Sequence, residues 1–283
     1  MDGADFIYDL GKVRLGAAAF YTGLLYKDTA DINYSPTDQR DYNEDFDWSD
    51  FGNTYFAPRR LFTALYGEFP GLPFKRGHLY AGLLAQFDLS DADEAFHTQY
   101  LLLRHILDYK QFDFSVSGAV ELENTEDDGL RAAYAVSLEG GWRIPFFLKN
   151  RLSLGMRWAS GHGPQTAAFF PLIREAQGLV LKPCLSGIMV IKANFEARLL
   201  PSLSAELGGR YFLRTDSTSF TDPDIENESY ALGAEIGASL LWVPFSDLSF
   251  SLAGGIFLPG TGGAMAGDTP VRWSLTLGTI FSF

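Results

Sequence analysis

Nine charged residues fall at alternating positions within their local segments: Arg104, Glu121, Glu139, Arg157, Lys192, Glu196, Glu206, Arg210 and Glu235. Most are flanked on both sides by apolar or small residues, as Glu121 is by Val120 and Leu122. Both signs are present and are spread along the chain. Such a set suits a polar wall past which hydrated solutes move, its charges setting selectivity. Catalysis would need tighter company. A hydrolase requires a serine, a base and an orienting group within hydrogen-bond reach. The histidines are His78, His97, His105 and His162, and only Ser160 with His162 has suitable spacing. The stretch with Asp41, Asn43, Glu44, Asp45, Asp47 and Asp50 has the oxygen ligands calcium prefers. It lacks the glycine and glutamate of an EF-hand loop and reads as a solvated acidic segment. No catalytic residue, metal or cofactor is assigned.

The elements that must carry these charges are strands. Side chains alternate across a strand, so a period of two separates an apolar face from a polar one. Val271, Trp273, Leu275, Leu277, Phe281 and Phe283 form such a face, opposite Arg272, Ser274, Thr276, Gly278, Ile280 and Ser282. The same pattern begins near Val13 and recurs to give about twelve strands, an even number. Leu232 falls on the apolar side of its strand, with Tyr230, Ala234 and Ile236. Short turns, several with proline, alternate with longer acidic or glycine-rich loops near residues 28–58, 161–186, 215–229 and 259–270. Aromatic residues sort to the two ends of the apolar faces. Trp142, Trp242 and Phe281 lie near the short turns; Phe87, Trp158, Tyr230 and Trp273 lie near the long loops. Two girdles of this kind are what two bilayer interfaces select. No domain boundary interrupts 1–283.

Of the long loops, Gly161–Ser186 is the apolar one, with Phe169, Phe170, Leu172, Leu179, Val180 and Leu181 beside Arg174. An apolar segment of this size calls for a partner. It either folds into the mouth of a barrel, making Phe169, Phe170 and Arg174 a candidate gate, or extends two strands as a hairpin. Small residues on the polar faces, among them Gly155, Gly208, Gly237 and Gly255, leave room inside.

Hydrophobic residues make up 47% of the 283, yet no apolar run approaches the roughly 20 residues that a membrane helix needs. A net charge of −13 argues against nucleic acid as a partner. One cysteine, Cys184, excludes an internal disulfide. Met1-Asp2-Gly3-Ala4-Asp5 is no export signal, which leaves a cytosolic protein or a mature chain with its signal removed.

The closing strand, ending on alternating hydrophobes and Phe283, resembles the assembly signal of Gram-negative outer-membrane β-barrels. The resemblance implies an all-β, closed, up-and-down antiparallel barrel in the bacterial outer membrane, matured by signal removal. It also implies short periplasmic turns, outer-membrane lipids as surroundings, and recognition of the last strand by the barrel-assembly machinery. With the polar faces, the expectation is a monomeric, non-enzymatic channel for small hydrophilic solutes. Two alternatives stand beside it. One is a lipid-modifying hydrolase, although the His-x-Ser pattern of phospholipase barrels is absent. The other is a closed structural or adhesin-like barrel acting through its acidic loops.

Overall fold

The computed structural model describes residues 2–26, 49, 56–89, 96–125, 129–145, 149–173, 175–220 and 222–282. Among the described residues thirteen strands form one sheet in chain order, each beside the next. They are β1 (Asp2–Asp9), β2 (Arg14–Tyr21), β3 (Arg60–Pro70), β4 (Gly77–Asp88), β5 (His97–Tyr109), β6 (Phe112–Thr125) and β7 (Gly129–Ile144). There follow β8 (Lys149–Ala159), β9 (Ile188–Leu200), β10 (Leu203–Arg214), β11 (Ala231–Phe245), β12 (Leu248–Leu258) and β13 (Arg272–Phe281). This all-β, up-and-down antiparallel order is the expected one.

The strand count is thirteen, not twelve, because β1 escapes the periodicity. Ala4, Phe6 and Tyr8 share the apolar face, but Ile7 stands among Gly3, Asp5 and Asp9 on the other and interrupts the alternation of a strand only eight residues long. What identifies β1 is its pairing with β2, Phe6 opposite Ala17 and Tyr8 opposite Leu15. A hydrogen bond from the Tyr66 hydroxyl to Asp5 Oδ1, 2.7 Å, adds to that pairing.

Along the other strands the apolar face is exposed: Leu65 is 59% accessible, Leu154 64%, Leu275 67% and Leu277 75%. Same-face partners meet across the ladder, Leu65 with Leu83, and Leu207 with both Phe195 and Ala238. Trp142, Trp242, Trp273 and Phe281 are exposed on this face as well. Leu232 is the exception. It is fully buried on the opposite side, since the β10–β11 register shifts between Phe212 and Leu213 and Gly233 takes φ 144°. A bulge admits one extra residue and reverses the side-chain parity beyond it.

The described residues group into two compact units. One comprises Met1–Ile106, Ser117–Ala135 and Gly163–Glu175; the other comprises Leu107–Val116, Val136–His162 and Ala176–Phe283. In the first, Ala57 and Phe62 pack with Phe20, Leu25, Leu84 and Leu172. In the second, Leu181, Ile188, Val190, Phe212, Leu232, Phe257, Ala264 and Met265 form a buried cluster on the side away from the exposed leucines. Most of the acidic segment Asp28–Asp50, Arg174 and Phe283 lie outside the described residues.

Candidate functional site

In the second unit the polar faces of β6 to β9 converge on Arg151. Its guanidinium reaches Asp113 Oδ1 at 2.6 Å, Glu139 Oε1 at 2.9 Å and Glu196 Oε1 at 3.5 Å. Lys192 Nζ takes the other oxygen of Glu139 at 2.7 Å, and Arg143 joins Asp113 at 3.4 Å and Asp108 at 3.1 Å. These side chains lie along the sheet rather than standing off it. Lys192 crosses β8 over Gly155, where a Cβ would come within 2.7 Å of Lys192 Cε. Arg151 crosses β7 over Gly141, where a Cβ would sit 2.5 Å from both Arg151 Nε and Asp113 Oδ1. Space that small residues leave on this wall is therefore filled by neighbouring long side chains.

Between β9 and β10 like charges face each other, Glu196 opposite Glu206 and Lys192 opposite Arg210. Direct like-charge neighbours repel. The side chains lean apart accordingly: Glu196 and Lys192 toward β8 and β7, and Arg210 toward β11, where it meets Glu235 at 3.2 Å. Glu206 makes no ion pair among the described residues. It lines a cavity of about 800 Å³ at the short-turn end with Lys110, Arg143, Lys149, Glu196 and Arg198. In the first unit, Arg104 is exposed on β5 and is likewise unpaired among the described residues. Of the predicted wall residues, Glu139, Lys192 and Glu196 are thus joined in one network. Arg210 and Glu235 form a second. Arg157 binds Gln177 Oε1 at 3.0 Å. Arg151, the hub, is absent from the sequence-based set. Its signal was parity, since Arg151 shares the polar side of β8 with Ser153, Gly155 and Arg157.

Segment 161–186 forms no strand among its described residues and packs onto the polar side of the sheet, so the hairpin alternative is set aside. Its base is stapled in the second unit. Gly187 N–H donates to Ser160 O at 3.1 Å, Thr215 N–H to Gly187 O at 2.8 Å, and Thr215 Oγ1 to Ala159 O at 2.9 Å. The backbone N–H of His162 donates to Asp216 Oδ2 and to Ser219 Oγ, each at 3.0 Å. Asp216 also presses against Gly161, leaving no space there for a Cβ.

Residues 176–186 then meet β11. Glu235, fully buried, accepts the consecutive backbone N–H groups of Leu179, Val180 and Leu181 at 2.8, 2.8 and 3.0 Å. Ser274 Oγ donates to Leu179 O at 2.9 Å, and Leu181 enters the buried cluster. In the first unit, residues 163–173 meet β5, β6 and β7. Phe170 N–H donates to Glu121 Oε2 at 2.7 Å, and Ala167 N–H donates to Ala132 O at 3.0 Å. Phe170 stacks edge-on against Phe96 with ring centroids 5.2 Å apart, and Phe169 against Tyr100 at 6.2 Å. The two buried glutamates, predicted as wall charges, are the anchors of this loop.

The loop after β10 is tied down by carboxylates. Burial alone would raise the Asp216 carboxyl. Hydrogen bonds from the Ser219 hydroxyl, the Thr218 and Ser219 N–H groups and the Thr218 hydroxyl instead hold it below its ordinary value. Asp222 is lowered chiefly by the Arg272 guanidinium, which grips it with bonds of 2.7 and 2.6 Å. Groups lowered in the folded state stabilise fully above their ordinary range, about pH 4 for aspartate, and lose that contribution as pH falls through the lowered values. The amides of Thr218 and Ser219 are therefore expected to keep full protection down to the ordinary aspartate range and to lose it only below. Amide exchange corrected for intrinsic rate checks this; loss beginning near neutrality would contradict it.

No family model matches the chain, and no curated protein matches its sequence. Solved structures do match. The outer membrane protein OprD of Pseudomonas aeruginosa aligns with a TM-score of 0.58 and 13% identity, over 98% of this chain and 67% of its own. The fold is similar to that of an outer membrane protein. An improved crystal structure of OprD gives the same score at 14% identity, over 98% of this chain and 68% of its own. The outer membrane channel DcaP of Acinetobacter baumannii aligns at 10% identity, over 98% of this chain and 83% of its own, with a TM-score of 0.48.

Proposed function

We propose that the chain closes into a transmembrane barrel in a bacterial outer membrane and passes small hydrophilic solutes by diffusion along its polar wall. The observation that carries the reading is the connected wall of Asp113, Arg151, Glu139, Lys192 and Glu196, laid flat over Gly141 and Gly155. A wall of opposed charges that do not project suits permeation past a mixed-charge surface. The exposed leucines and tryptophans of the opposite face suit lipid, and the likeness in fold to OprD supports the same setting. In this reading Arg104, Glu121, Glu139, Arg157, Lys192, Glu196, Glu206, Arg210 and Glu235 belong to the wall or its anchors. The loop with Phe169, Phe170 and Arg174 narrows the passage. The chain works as a monomer, and its last strand is what the barrel-assembly machinery engages.

The test is single-channel conductance of refolded protein in a planar bilayer under a salt gradient. Discrete, stable steps are expected. Silence from correctly folded protein would sink the channel reading, and activity on phospholipid in detergent would favour an enzyme instead.

A further inference from the structure

We propose that Glu121, Tyr100 and Phe170 form a proton-sensitive latch, one that holds segment 163–173 more tightly when Glu121 gains a proton. The proposal rests on the reading of this loop as a gate. Its basis is a count of protons. The Tyr100 hydroxyl lies 2.8 Å from Phe170 O and 3.0 Å from Glu121 Oε1. It has one proton to donate, and both of those oxygens are acceptors when Glu121 is a carboxylate. Phe170 N–H already serves Glu121 Oε2. One of the two Tyr100 contacts therefore faces oxygen to oxygen without a hydrogen between them. The latch is one proton short.

The surroundings do not supply the missing charge. The titratable groups on the flanking strands are His97, Tyr100, Arg104, His105, Asp108 and Tyr109 on β5, and Arg131, Tyr134, Glu139 and Arg143 on β7, of which Asp108, Glu139 and Arg143 have their partners in the Arg151 network. His97 accepts from the Asp88 N–H, Arg104 is exposed, and His105 faces Phe74. Arg131 and Tyr134 are not among the groups that bond to or act on Glu121. Glu123, on the same strand, is another carboxylate acting on Glu121. Phe169 and Phe170 bring nothing that titrates. Glu235 differs. It holds the other part of the loop with three N–H donors and has Arg210 at 3.2 Å, so its donors and charges are matched. Two equally buried glutamates do the same mechanical task, one complete and one incomplete. A proton on Glu121 Oε1 would donate to the Tyr100 oxygen and free the Tyr100 proton for Phe170 O. All three contacts would then be hydrogen bonds.

Glu121→Gln reproduces that state at any pH, since the amide oxygen accepts from Phe170 N–H while the amide nitrogen donates to Tyr100. Hydrogen exchange of the detergent-folded protein at one fixed alkaline pH, where Glu121 is a carboxylate, reads the latch without reference to conduction. Glu121→Gln is expected to slow exchange across 167–172 by about tenfold, the effect of one added buried hydrogen bond, and to leave 179–181 unchanged. Tyr100→Phe, which removes the shared donor, is expected to speed exchange across 167–172. In bilayers, closures of the wild type should lengthen as pH falls, and those of Glu121→Gln should not respond to pH. Unchanged or faster exchange in Glu121→Gln would overturn the latch, whether or not the protein conducts. A protein that shows the exchange pattern but never conducts would overturn the channel reading and leave the latch standing.

Discussion

Glu235→Ala is expected to destabilise the folded protein by about 3–5 kcal/mol, the range for removing one partner of a buried ion pair. The residue is fully buried and satisfies four donors, the N–H groups of Leu179, Val180 and Leu181 and the Arg210 guanidinium. Removing the carboxylate strands them all where water has little access, and a stranded buried donor loses its full solvation. The loss propagates, because Leu181 sits in the buried cluster with Ile188, Phe212, Leu232 and Phe257. Denaturant unfolding of detergent-folded protein, followed by tryptophan fluorescence, gives the number. A shift below about 1 kcal/mol would mean that the loop finds other partners, and the anchoring role of Glu235 would be withdrawn.

The second large effect is electrostatic. Arg151→Ala leaves Asp113, Glu139 and Glu196 without their common cation, with Lys192 remaining for Glu139 and Arg143 for Asp113. Under a salt gradient the reversal potential is expected to move toward cations, raising the cation-to-anion permeability ratio severalfold. Arg151→Lys should recover part of the selectivity but not the geometry, because an ammonium cannot fork between carboxylates as a guanidinium does. A reversal potential identical to wild type in Arg151→Ala would place the selective region away from this network.

The strands were legible where alternation survives, and alternation survives wherever one face meets an apolar surrounding. β1 fails that condition at Ile7, and Leu232 fails it because a bulge at Gly233 shifts parity without leaving a mark in the hydrophobic pattern. Which charges meet was less legible than which face they share. Glu121 and Glu139 both stand on polar faces of their strands, yet the first binds a loop backbone and the second a lysine and an arginine. Partner choice depends on how adjacent strands are staggered, and a period of two is silent on stagger. The apolar loop could be singled out, but its anchors lie 49 and 56 residues away in sequence, at Glu121 and Glu235. Arg151 stands only two residues inside β8, ahead of the apolar alternation of Leu152, Leu154 and Met156 that marks the strand.

The flat-lying side chains carry one more consequence. Lys192 over Gly155, Arg151 over Gly141 and, in the first unit, Tyr66 over Gly16 each spend their length along the sheet. In a wall built this way, clearance and field become separate variables. The glycines set how far the wall stands back, and the end groups set its sign. Exchanging the charges of Glu139 and Lys192 would rearrange the local potential while leaving the profile of the wall nearly as it is. A valine at Gly155 would do the reverse, lifting Lys192 inward with no change in formal charge. A wall of this construction can drift in selectivity under mutation without first narrowing, and can narrow without first changing what it attracts.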